Sequence, residues 1–107
     1  LHTAYDLKPI AQMLRKAQIE GYTVANMDKY HGQYNFLGRL TKPIVFSDSV
    51  LLAGWLKENP KSKIVSYHIS SPEKNYPEYF QSFRGRYIAV WNGASLRKNP
   101  KNAFREN

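Results

Sequence analysis

His31 and Asp28 have the clearest capacity for chemistry: an imidazole that titrates near neutrality, and a carboxylate three positions away. At the end of a strand His31 could act as a general base, with Asp28 to orient its ring. Both lie in Asp28-Lys29-Tyr30-His31-Gly32-Gln33-Tyr34-Asn35-Phe36-Leu37-Gly38-Arg39-Leu40. This stretch joins an apolar run from Tyr22 to Met27 to another from Pro43 to Phe46. Ligands of open α/β sheets gather where the chain leaves the carboxyl end of a strand. The candidate contact residues are therefore Lys29, Tyr30, His31, Gln33 and Arg39. A structural His31, bonded to local backbone or a tyrosine hydroxyl, is the favoured competing reading. Asp28 and Asp48 could pair as acid and base across adjacent strand ends, but each also has a local role, as turn residue and helix cap.

No complete catalytic constellation can be assembled. His2, His31 and His68 have none of the spacings of metal ligands, so no metal or cofactor is expected. With no cysteine, thiolate nucleophiles, thiolate metal sites and disulfides are excluded. Gly32 and Gly38 match neither phosphate-binding glycine motif, and no serine sits in a nucleophile elbow. His68 falls in a strand pattern and reads as a half-buried sheet residue.

The 16 Lys plus Arg against 8 Asp plus Glu give a formal charge of +8, which suits a polyanionic partner such as nucleic acid or an anionic lipid surface. Arg84-Gly85-Arg86-Tyr87 near Tyr79, Phe80 and Phe83 brings to mind sheets that stack single-stranded bases. The RNA-recognition signature is not matched, however, and hairpin packing accounts for most of those rings. No apolar run approaches the ~18 residues of a membrane-spanning helix. Opening on Leu1, the chain reads as a piece of a longer protein.

At 107 residues, 42% apolar and 14% aromatic, the chain is expected to form one domain over 1–98, with a frayed tail over 99–107. Asp6 caps a first helix with Pro9 in its opening turn; Leu7, Ile10, Ala11, Leu14 and Ala17 recur at helical spacing, and Gly21 stops it. Ser47, Asp48 and Ser49 offer caps for a helix from Val50 to Glu58, with Val50, Leu51, Leu52, Ala53, Trp55 and Leu56 packed inward. Lys63 to Ile69 is a strand, and Tyr79–Phe83 and Arg86–Trp91 flank a tight turn at Arg84-Gly85. The expected fold class is α/β: a layered domain with a mixed sheet, three parallel strands linked by helices, and a C-terminal antiparallel hairpin.

Tyr30-His31-Gly32-Gln33-Tyr34 through Phe36-Leu37-Gly38-Arg39-Leu40, then Pro43-Ile44, and later Phe83 to Trp91, carry a resemblance. The chain resembles the C-terminal soluble domain of bacterial membrane glycosyltransferases of the protein-mannosyltransferase and aminoarabinose (lipid A) transferase superfamily. The resemblance implies a domain at the periplasmic face of the inner membrane. Its parent would move a sugar from a polyprenyl-phosphate carrier to a lipid or protein acceptor. The catalytic and metal-binding acids of such enzymes lie in the membrane portion, so no catalytic residue is carried onto this chain. The implied partners are the transmembrane portion of the same chain and anionic lipid or polyprenyl-phosphate headgroups. The isolated domain would be a non-catalytic monomer that caps or organises the substrate cavity. The alternative is a small basic nucleic-acid-binding module; a third is an enzyme using His31 and Asp28.

Overall fold

The computed structural model describes residues 6–27, 42–43, 46 and 48–104. They form an α/β domain whose mixed sheet is covered by helices on both faces. The first helix, α1 (Lys8–Ile19), has Pro9 in its first turn, where a missing N–H breaks no helical bond. Asp6 Oδ1 accepts from the Lys8 amide at 3.0 Å, and the chain leaves the helix through Gly21 at φ +91°. The spacing of Ile10, Leu14 and Ala17 puts them on one buried stripe, as the pattern required.

Strand β1 (Thr23–Asn26) follows and pairs in parallel with β2 (Lys42–Pro43) and with β3 (Ser62–His68). Between the last two comes α2 (Ser49–Glu58), capped by Asp48, whose carboxylate accepts from the Leu51 amide at 3.0 Å. A 3-10 turn at Glu73–Asn75 leads to the antiparallel hairpin β4 (Tyr79–Phe83) and β5 (Arg86–Asn92). A short helix, α3 (Gly93–Leu96), and a 3-10 helix at Pro100–Phe104 end the described chain. The sheet order is β2-β1-β3-β5-β4, and β5 runs antiparallel to β3.

The hairpin turn follows from its residues. Arg84 and Gly85 sit at φ 52° and 76°, the paired positive values whose twist matches that of the flanking strands. Strand alternation then divides the core. Val24, Val65, Ile88, Val90 and Phe83 meet α1 on one face. Ala25, Ile64, Ala89 and Trp91 meet Leu52 and Leu56 of α2, Leu96 and Ala103 on the other.

Three expectations are corrected. Val50 and Leu51 do not pack inward: they are 77% and 55% exposed, because Leu52 and Leu56, one turn apart, face the sheet, with Trp55 half-buried beside them. The tail does not fray over 99–104, since Asn102 and Ala103 are buried and Phe104 packs beside α2's core residues. His68 is buried, not half-buried, at 1% exposure. Of the expected strand from Pro43 to Phe46, β2 holds Pro43, while 44–45, like 28–41, lie outside the described residues.

Gly93 opens α3 directly against β3. A Cβ there would stand 2.0 Å from Ser62 Oγ and 3.1 Å from the Ser62 carbonyl oxygen. Gly93→Ala is therefore expected to lower stability by about 1–3 kcal/mol, the usual cost of overpacking. Leu14→Ala should cost about 2–5 kcal/mol, and Val50→Ala less than about 0.5 kcal/mol. Urea unfolding of the three variants checks the ranking.

Candidate functional site

The sheet has two ends, and sequence reasoning looked to one. Lys29, Tyr30, His31, Gln33 and Arg39, together with Asp28, lie outside the described residues beyond the carboxyl end of β1. Asp48 is placed as α2's cap, which accounts for its carboxylate locally.

One serine–histidine contact is present within the described core. Trp91 Nε1 donates to Ser66 Oγ at 2.6 Å, and Ser66 Oγ lies 2.7 Å from His68 Nε2. Ser66 Oγ accepts from Trp91 and can in turn donate its own hydrogen to His68 Nε2. The His68 ring also meets Trp91 edge-on, with centroids 6.1 Å apart. Ser66 is fully buried, so the contact offers no surface to a substrate and serves the core. Asn26 is tied in the same manner on the other face, accepting from the Tyr67 hydroxyl at 2.7 Å.

The open concavity lies at the opposite end, where β5 finishes and β4 begins. It encloses about 520 Å³ and is lined by Asn75, Tyr76, Glu78, Trp91, Asn92, Ser95, Leu96, Asn99 and Asn102. Local rules place these groups. Asn92 caps α3, its Oδ1 accepting from the Ser95 amide at 3.2 Å. Tyr76 closes the 3-10 turn in the left-handed conformation, at φ 57° and ψ 53°, and holds its ring 88% exposed. Such a conformation is uncommon for a large side chain. Asn102 is 8% exposed, and its Oδ1 has no hydrogen-bond partner among the described residues. At the cavity's edge Glu78 Oε1 accepts from Lys63 Nζ at 2.5 Å. That ammonium also stands 4.6 Å from the centre of the Tyr22 ring, with Lys61 5.1 Å away on the same ring.

Sequence reasoning missed this set because its residues are scattered: Trp91 reads as the end of the hairpin, and Asn99 and Asn102 as part of a frayed tail. The available signal was Ala103-Phe104 beyond Asn99-Pro100, an apolar pair able to fold the tail back onto the core.

The basic hairpin is largely accounted for by packing. Phe83 is buried under the α1 face with Arg84 5.1 Å from its ring centre, and Phe80 and Tyr87 pack with centroids 6.3 Å apart. Among the described residues, no group of three or more His, Asp or Glu could hold a metal ion, and no helix is long and apolar enough to cross a membrane. Comparisons with family models, curated proteins and solved structures each found no match to the chain.

Tyr79 ties β4 to the start of α1: its hydroxyl donates to Gln81 Oε1 at 3.0 Å, and Gln81 Nε2 donates to the Asp6 carbonyl at 2.9 Å. Burial, and secondarily the charge of Asp6, raise the Tyr79 phenol above its ordinary value of 10.0. A raised phenol means the folded state keeps its proton longer than the unfolded chain. Its contribution is full below the unfolded value and is lost as pH rises from there through the higher folded value. Stability is therefore expected to fall from about pH 10 upward. Tyr79→Phe should flatten that part of the profile, as read by thermal melts across the alkaline range.

Proposed function

We propose that this chain is a non-catalytic domain of an integral-membrane glycosyltransferase, seated at the periplasmic face of the bacterial inner membrane. There it caps or organises the cavity in which a sugar passes from a polyprenyl-phosphate carrier to a lipid or protein acceptor. The observation that carries this reading is the paired resemblance of Tyr30 to Leu40 with Pro43-Ile44, and of Phe83 to Trp91. The formal charge of +8 adds support, since phosphate headgroups and anionic leaflets attract such a surface. In this reading β1, β2 and β3 belong to a layered domain of three parallel strands linked by helices. Lys29, Tyr30, His31, Gln33 and Arg39 are the proposed contacts with donor, acceptor or the transmembrane portion of the same chain. The isolated domain is a monomer without a cofactor of its own.

A nucleic-acid reading is favoured by one observation, the exposed Arg84 and Arg86 at the hairpin tip. The burial of Phe83 weighs against it, because that ring is closed to stacking. Vesicle binding separates the two. The chain should associate with phosphatidylglycerol vesicles at low salt and release as ionic strength rises past about 0.1 M, where exposed charge is screened over ~10 Å. Equal association with phosphatidylcholine vesicles, or none with either, would contradict the membrane reading. Selective binding to single-stranded RNA or DNA at physiological salt would install the alternative.

A further inference from the structure

The cavity at the β5–β4 end has a lining whose chemistry is specific. Among the described residues that line it, Glu78 alone is charged, and Lys63 already balances that carboxylate through one oxygen. The remaining polar groups are four carboxamides (Asn75, Asn92, Asn99 and Asn102), the Ser95 hydroxyl and the Tyr76 phenol. Asn92 is committed to capping α3. The side chains of Asn75, Asn99 and Tyr76 make no hydrogen bond among the described residues. No cationic side chain among the described lining residues balances an anion, and the single paired carboxylate is a poor site for a cation.

A carboxamide offers an acceptor and two donors from one plane, matching a hydroxyl, which is both donor and acceptor. Several amides around one concavity thus complement a ligand that carries many hydroxyls and no charge. The second Glu78 oxygen adds an acceptor. The exposed Tyr76 ring, held at the rim by a left-handed backbone, adds a flat apolar platform of the kind that packs against the C–H face of a sugar ring. At about 520 Å³ the cavity has room for one or two sugar rings and falls within the ordinary range of ligand sites, roughly 300–1,000 Å³. We infer that this cavity is a binding site for a neutral sugar, gripped by Asn75, Asn99, Asn102 and Glu78 and covered by the Tyr76 ring. The inference rests on the cavity alone, not on the membrane reading above.

Amide NMR titration of the 107-residue chain with maltose, methyl α-mannoside, methyl β-galactoside and N-acetylglucosamine tests it, with inorganic phosphate and adenosine as competitors. At least one saccharide should shift amides of Asn75, Tyr76 and Glu78 and of the non-proline residues in 92–102, with a dissociation constant on the order of 1 mM. Tyr76→Gly separates ring from fold. Glycine adopts the left-handed conformation without strain, so this variant should be at least as stable as the parent. It should nonetheless bind the saccharide at least about fivefold more weakly, as should Asn99→Ala, while Ser82→Ala on β4 leaves affinity unchanged. Three results would overturn the site: no saccharide response, a response that both variants retain, or tighter binding of phosphate or adenosine at the same residues. None of these outcomes bears on vesicle association, so the two readings fail separately.

Discussion

Every layer of the domain closes on β3, and the constraint that governs the rest is its complete enclosure. Six of its seven residues, all but Tyr67, are buried, and it is flanked by a parallel neighbour on one side and an antiparallel one on the other. A strand so placed must satisfy every polar side chain from within the protein. Ser66 does so with Trp91 and His68, Tyr67 through Asn26, and Lys63 through Glu78 and the Tyr22 ring. Apart from the Ser66–His68 contact within β3, these bonds reach another strand or a loop, so the polar groups of one strand help fix the register and spacing of its surroundings. Ser62 is the exception, its hydroxyl held without a partner among the described residues under Gly93.

That enclosure separates the two ends of the sheet. Toward the end of β3 the buried His68–Ser66–Trp91 contact gives way to the loop that carries the chain across to β4. At its beginning, Lys63 draws Glu78 inward, and Glu78 anchors the segment that presents Tyr76. The same end receives α3 and the 3-10 helix at Pro100–Phe104, so the cavity is walled by elements far apart in sequence. A site assembled in this way is held by tertiary packing, which suits recognition of a ligand by shape and hydrogen bonding.

Much of the architecture was legible because local rules and packing agree. Asp48 caps α2, Gly21 ends α1, and Arg84-Gly85 forms the tight turn, each for a reason visible in a few neighbouring residues. What failed depended on the opposing surface. α2 is apolar nearly all round, so its composition could not say that Leu52 and Leu56 face the sheet while Val50 and Leu51 do not. His68 reads as half-buried until Trp91 and Ser66 are known to stand across from it. The tail shows charge, proline and asparagine, yet two apolar residues suffice to seat it. The cavity's asparagines look like ordinary loop residues in sequence because their common ligand chemistry exists only once 75–78 and 92–102 are brought together.

The central functional claim is that the chain serves sugar transfer without performing it. The most direct measurement is transfer of a labelled sugar from a polyprenyl-phosphate donor to lipid or protein acceptors, with membranes carrying the parent transferase, with the same parent lacking these 107 residues, and with the purified chain alone. The account predicts transfer by the intact parent, a marked loss when the domain is removed, and none by the isolated chain. Turnover by the isolated chain that His31→Ala abolishes would contradict it, as would undiminished transfer by the truncated parent.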